Sequence, residues 1–170
     1  MKKAIFILLI FLSLLNVSCV TDDTCTQTRY VKLTAGFYHV NYNDTTKVYS
    51  ISSLSFDSLT VRGVKLNPST NQYLLVDSIL YNNSKNRLSS INLPLNNVAP
   101  QSKFKINFNA VIDTLTIYHS NINDYLSLEC GCIITHAIDS AKITNHYIDS
   151  VRIINHDVNT LNAENIRLYK

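Results

Sequence analysis

Apolar and polar residues alternate with a period of two along most of the chain. The clearest run is Lys103-Phe104-Lys105-Ile106-Asn107-Phe108-Asn109. Leu115 and Ile117 alternate with Thr114, Thr116 and Tyr118, and residues 29–40, 55–64, 73–81, 87–93, 128–136, 143–154 and 166–169 read similarly. Thr, Ile, Val, Tyr and Phe dominate these runs, and they suit a pleated surface with one buried face. Asn and Ser cluster between them, at residues 41–44, 67–72, 82–86, 96–97 and 121–124. Asn tolerates left-handed backbone and bonds its own neighbours, so these clusters predict turns. No stretch after residue 18 carries a 3.6 period. Eight or nine strands at this spacing predict an all-β fold, an antiparallel β-sandwich of immunoglobulin-like or Greek-key type. Pro94 ends the run over 87–93. Proline cannot donate to a ladder, so that strand lies on an edge or stops there.

Composition sharpens this picture. The chain has 170 residues, enough for one domain, but only 3 Gly. Phosphate-cradling loops need several positions free of Cβ, which excludes P-loop and dinucleotide-binding enzymes. It also leaves the unusual turn conformations to Asn. A net charge of +3 with no basic cluster argues against nucleic acid as a partner.

The N-terminus reads as a targeting signal. Lys2 and Lys3 precede an apolar run over residues 4–15, broken only by Ser13. Twelve residues match the core of a signal peptide, whereas a spanning helix needs roughly 20. Leu15-Asn16-Val17-Ser18-Cys19 follows, and a small residue before a cysteine at this place resembles a bacterial lipobox. It departs from that pattern in carrying Asn16 three residues before the cysteine, with Leu15 one further back. The resemblance implies cleavage after residue 18 and lipidation of Cys19, which would anchor the chain in the outer membrane. Asp22-Asp23 resembles an acidic signal that carries lipoproteins to the cell surface. The expected organisation is a signal peptide over 1–18, an acidic lipidated tether over 19–26 and one β-sandwich domain over 27–170. Removing Lys2 and Lys3 lowers the net charge from +3 to +1.

Beyond Cys19, an odd number of cysteines remains: Cys25, Cys130 and Cys132. Export places them where disulfides persist. Three arrangements compete. Cys25 bridges to Cys130 or to Cys132, closing more than 100 residues. Alternatively Cys130-Gly131-Cys132 forms a small redox ring, or the thiols join His136 on a metal. On one strand Cys130 and Cys132 would share a face, and the leftover thiol is expected to be buried.

The layout resembles a family of small bacterial outer-membrane lipoproteins of uncharacterised function. The matching parts are Cys19, Cys25 with the strand that follows it, Ile91-Asn92-Leu93-Pro94-Leu95, Leu115-Thr116-Ile117-Tyr118, Cys130-Gly131 and Asn165-Ile166-Arg167-Leu168-Tyr169. The resemblance implies a β-rich domain with Cys25 and Cys130 as the pair. Cys132 departs from it and has no assigned partner.

Asp before Ser or Thr is over-used. Seven of 10 Asp stand there, where chance gives about two. In six the third residue is aliphatic or Thr, a triplet that resembles a bacterial O-glycosylation motif. The hydroxyls are Thr45, Ser58, Ser78, Thr114, Ser140 and Ser150. The structural alternative is that each Asp caps a turn.

Catalytic signals are sparse. Only Glu129 and Glu164 are Glu, and no nucleophile elbow is present. The five His (His39, His119, His136, His146 and His156) have no ligand spacing and read as half-buried strand residues. Residues 143–150 and 153–160 match each other, which reads as two similar strand-turn units rather than a His146–His156 metal site. The expected protein is a non-catalytic, lipid-anchored β-domain with no cofactor. It would bind an envelope protein or glycan, with its 10 Tyr available for recognition. The alternative is a thiol-redox or metal-dependent envelope enzyme using Cys130, Cys132 and His136.

Overall fold

A computed structural model describes Cys25, residues 29–67, 72–82 and 87–170, with side chains of 66–78 left aside. The expected signal peptide, the lipidated Cys19, Asp22-Asp23 and the turn positions at 68–71 and 83–86 lie outside the described residues. No helix among the described residues is long and apolar enough to cross a membrane.

The described residues form eleven strands: β1 Leu33–Asn43, β2 Val48–Ser53, β3 Thr60–Asn67, β4 Gln72–Tyr81, β5 Ser90–Leu93, β6 Gln101–Phe108, β7 Val111–Ser127, β8 Gly131–Ile143, β9 Ser150–Ile153, β10 Asp157–Val158 and β11 Glu164–Tyr169. They make two sheets. One runs β2-β1-β11-β9, with β5 also paired to β1; the other runs β10-β8-β7-β6-β3-β4. The all-β reading therefore holds as two packed sheets.

Alternation builds the core. Ser102, Phe104, Ile106 and Phe108 of β6 are buried, as are Asp113, Leu115, Ile117 and His119 of β7. Leu33, Ala35 and Phe37 of β1 and Ile166 and Leu168 of β11 are buried in the other sheet. Phe37 meets Phe108 edge-on across the sheets, with ring centroids 6.0 Å apart, and Phe108 stacks on Tyr147 at 4.7 Å. Each such side chain taken from water stabilises the fold by roughly 1.5–3 kcal/mol before entropy is counted.

The purely antiparallel expectation needs correction. β1 pairs β11 in parallel, Ala35 opposite Ile166 and Tyr38 opposite Tyr169. A parallel pair needs a long connection, and here nearly the whole domain supplies it. β5 pairs only β1, so Pro94 directly follows an edge strand.

Four local readings also change. Residues 41–43 extend β1, and the turn expected at 41–44 falls at 44–47. Residues 121–124 are strand, inside β7, because cross-strand partners 133–136 continue the ladder past the polar run. Residues 143–154 are not one strand: β8 stops at Ile143, and a loop intervenes before β9. Residues 128–130 form a turn, and β8 starts at Gly131, whose φ is +69°.

Asn does carry the turns. Asn109, Asn145 and Asn162 are three of the four non-glycine residues with positive φ among those described; Lys47 is the fourth. Asn43 Oδ1 accepts the amides of Thr45 and Thr46, and Asn96 Oδ1 those of Val98 and Ala99.

Candidate functional site

The β7–β8 hairpin organises the most chemically distinctive end of the molecule. It runs past the rest of its sheet beyond the Asn121–His136 pair, where β10 last flanks β8; Asn121 stands opposite His136, Asn123 opposite Ile134 and Tyr125 opposite Cys132. Directly opposed residues share a face, so these six side chains line one side of the ribbon. A cleft of about 520 Å³ lies there, bounded by Asn123, Cys132 and Ile134, by Arg29, Tyr30 and Val31 ahead of β1, and by Pro94, Leu95 and Asn97 after β5.

The cysteines sit at this end. A disulfide joins Cys25 to Cys130, with Cα atoms 4.7 Å apart and 105 positions between them. This is the pairing the family resemblance implies, and it rules out a Cys130–Cys132 ring in this structure. Cys132 is free and exposed, which corrects the expectation of a buried leftover thiol. The shared-face expectation fails for the same reason. The left-handed backbone at Gly131 breaks strand alternation, so Cys130 turns inward at 4% exposure while Cys132 faces solvent. No group of three or more metal-ligating side chains occurs among the described residues.

Deeper along the same face lies a buried imidazole pair that spacing alone did not reveal. His119 and His136 are 0% and 2% exposed, with rings edge-to-face at 5.0 Å. Asn121 Oδ1 lies 3.0 Å from His119 Nδ1 and 2.8 Å from His136 Nδ1. An amide oxygen only accepts, so both Nδ1 atoms carry the proton and both Nε2 atoms are bare. The Asn96 amide donates to Ser102 Oγ, and that hydroxyl donates to His119 Nε2 at 2.9 Å. His136 Nε2 has no partner. Both rings are held neutral. Burial pushes the His119 pKa down, against the opposing pull of Asn121 and Asp139. Burial and then the neighbouring His119 push His136 down to about 4. His136 therefore belongs to this pair, while Cys130 is taken by the disulfide.

The repeated His146 and His156 both bond neighbouring strands through Nδ1, to the carbonyls of Ile112 at 3.1 Å and Ile138 at 2.5 Å. Their matched segments are thus similar docking units. His39 Nδ1 bonds the Lys170 carbonyl at 2.6 Å.

The Asp-Ser/Thr triplets fall into different settings. Thr45 lies exposed in the β1–β2 turn, and Ser150 lies exposed at the start of β9. Ser58 is half-buried in a bend, where Asp57 meets Arg87 at 3.4 Å. Thr114 and Ser140 are half-buried inside β7 and β8, and the side chain of Ser78 lies outside the described residues. Asp113 does not cap a local turn. Its buried carboxylate accepts the amides of His146, Tyr147 and Ile148 and the hydroxyl of Thr144, at 2.7–2.9 Å. Burial alone would raise its pKa, but these donors outweigh it and hold the carboxyl below its usual range.

At the other end, the β1–β2 hairpin projects with residues 41–53 all exposed. Val40 pairs Ile51 and Tyr42 pairs Tyr49, so one face gathers four apolar side chains, with the two tyrosine rings 4.7 Å apart. The other face carries His39, Asn41, Ser50 and Ser52.

No curated protein matches this chain, and no solved structure does. The family of unknown function DUF6452 matches residues 58–170, from the bend before β3 to the last residue, and the chain belongs to that family.

Proposed function

We propose that this protein is a lipid-anchored lipoprotein of the bacterial outer membrane, displayed at the envelope as a non-catalytic binding domain. The domain is read as a sandwich of Greek-key or immunoglobulin-like type, because the chain crosses repeatedly between its two sheets. The signal-like run over 4–15 and the lipobox-like Ser18-Cys19 support the anchor. A long-range disulfide supports an oxidising compartment. Asp22-Asp23 favours display on the outer face.

The observation that carries the binding role is the uncovered face of the β1–β2 hairpin. Val40, Tyr42, Tyr49 and Ile51 are 38%, 46%, 70% and 55% exposed. Four contiguous apolar side chains on a projecting hairpin suit contact with an envelope protein or a glycan. The test is crosslinking in intact cells from a photoreactive residue at position 49. A discrete adduct that disappears in a Tyr42→Ser variant supports this reading. Its absence from cells that display the protein normally counts against it.

The same reading includes O-glycosylation at the exposed triplets. Thr45 and Ser150 are the accessible acceptors. An intact mass equal to that of the acylated chain overturns the modification, and a mass well above it supports it.

A further inference from the structure

We infer that the end of the domain bearing the β7–β8 turn rests on the lipid surface, with Leu128 and Tyr125 entering the interfacial layer. The inference rests on the anchor reading and assigns the face that the anchor presents.

Cys25 follows Cys19 by six positions. Six residues reach at most ~20 Å when fully extended. The chain at Cys25 is not free to swing, because the disulfide fixes it to Cys130 in the β7–β8 turn. A lipid on Cys19 therefore holds that turn, and not merely the start of β1, within a tether's length of the bilayer.

The side chains at this end fit a lipid interface. Leu128, in the turn, is 90% exposed, and Tyr125 is 58% exposed. Tyr30, on the cleft wall, is 76% exposed, and Val98, beside Asn97 of the same cleft, is 93% exposed. Tyrosine with one apolar body and one polar tip suits the headgroup level. Arg29 and Glu129 lie at the same end with opposite charges, so apolar insertion rather than net charge carries the contact.

The rival apolar patch is on the β1–β2 hairpin and points away. β1 leaves the cleft at Leu33 and reaches Asn43 ten residues later. At the rise of a strand that is roughly 33 Å. One end of the domain is thus held at the membrane and the other is carried clear of it, where a partner can reach it.

The chain has no Trp, so a single introduced Trp reports its own surroundings. The experiment uses the mature full chain purified from membranes. Leu128→Trp and Tyr49→Trp variants are reconstituted into phosphatidylcholine vesicles with brominated acyl chains. Both sites are exposed, so neither substitution enters the core. Insertion predicts that the Leu128→Trp emission shifts to the blue and loses most of its intensity, while Tyr49→Trp is unquenched. Protein that floats with the vesicles but leaves Leu128→Trp unquenched overturns this orientation and leaves the anchor standing. Equal quenching at both sites also overturns it, because the domain then lies on its side. Failure of the full chain to float overturns the anchor, and the orientation with it.

Discussion

The carboxylate of Asp113 accepts the backbone amide of Ile148 at 2.8 Å, although the two residues are 35 positions apart and neither is exposed to solvent. With the amides of His146 and Tyr147 and the Thr144 hydroxyl, this one side chain closes the loop between β8 and β9. Asp113→Ala leaves the buried Ile148 amide and three part-buried donors without their acceptor. The expected loss is about 3 kcal/mol or more, since each orphaned buried group costs about 1–3 kcal/mol. Urea unfolding measures the loss, and faster hydrogen exchange at residues 146–148 localises it.

Acid should weaken the fold in two stages. His136 titrates at about 4 when folded and at its ordinary 6.5 when unfolded. Between those values the unfolded chain binds a proton that the folded chain does not, so stability falls as pH is lowered from 6.5 towards 4. The limit is about 3 kcal/mol. Asp113 has a depressed pKa, so its contribution is present above the ordinary carboxylate range and is lost as pH falls through the folded value. His119 is depressed in the same direction and adds to the first stage, so a His136→Gln variant should shrink that stage without abolishing it and keep the second, as read by denaturant midpoints from pH 7 to pH 3.

Reduction should be costly. The Cys25–Cys130 bridge spans 105 positions. A loop near 100 residues corresponds to up to about 4.7 kcal/mol on the chain-entropy account. Cys25→Ser should lower the thermal midpoint and release the N-terminal segment from the β7–β8 turn. The native mature protein should show one reactive thiol, Cys132, and none in a Cys132→Ser variant. A second native thiol would indicate that Cys19 is unmodified.

Gly36 makes room for a polar cluster between β1 and β11. Tyr38 donates to Glu164 Oε1 at 2.6 Å, Arg167 Nε donates to Glu164 Oε2 at 2.7 Å, and the guanidinium lies 4.7 Å from the Tyr38 ring centre. A Cβ on Gly36 would stand 2.1 Å from Glu164 Oε1 and 2.8 Å from Tyr38 Cε2. Gly36→Ala should therefore expel the Glu164 carboxylate and cost about 1.5 kcal/mol through the lost charged hydrogen bond. The hydrogen bond to Glu164 raises the Tyr38 pKa, with burial adding to it. That pKa should fall back towards its ordinary value in the variant, measured on ¹³C-labelled tyrosine.

Much of the fold is legible in local pattern. Period-two alternation locates β6 and the first half of β7, since each needs one apolar face and nothing more. That Asn takes left-handed turns is legible too, because glycine is scarce, but the places are not: Asn109, Asn145 and Asn162 all lie outside the clusters that predicted turns. The pattern fails where distant partners decide. Residues 121–124 look like a turn but are held as strand by their β8 partners. Residues 143–154 look like one strand but are broken by a loop that a carboxylate over 30 positions away satisfies.

The sequence by itself determined the all-β class, the turn chemistry, the odd cysteine count and the signal-like N-terminus, all of which follow from nearest neighbours and composition. The family resemblance points to Cys25 and Cys130 as the pair, but only the tertiary structure decided that Cys132 faces solvent, that β11 lies parallel to β1, and that His119 and His136 share the Asn121 oxygen. The parallel pairing and the shared oxygen depend on sheet register, which no single strand specifies. At the cysteines, one left-handed Gly131 turns Cys130 inward towards Cys25 and leaves Cys132 in solvent. A two-residue spacing read as a straight strand cannot anticipate that.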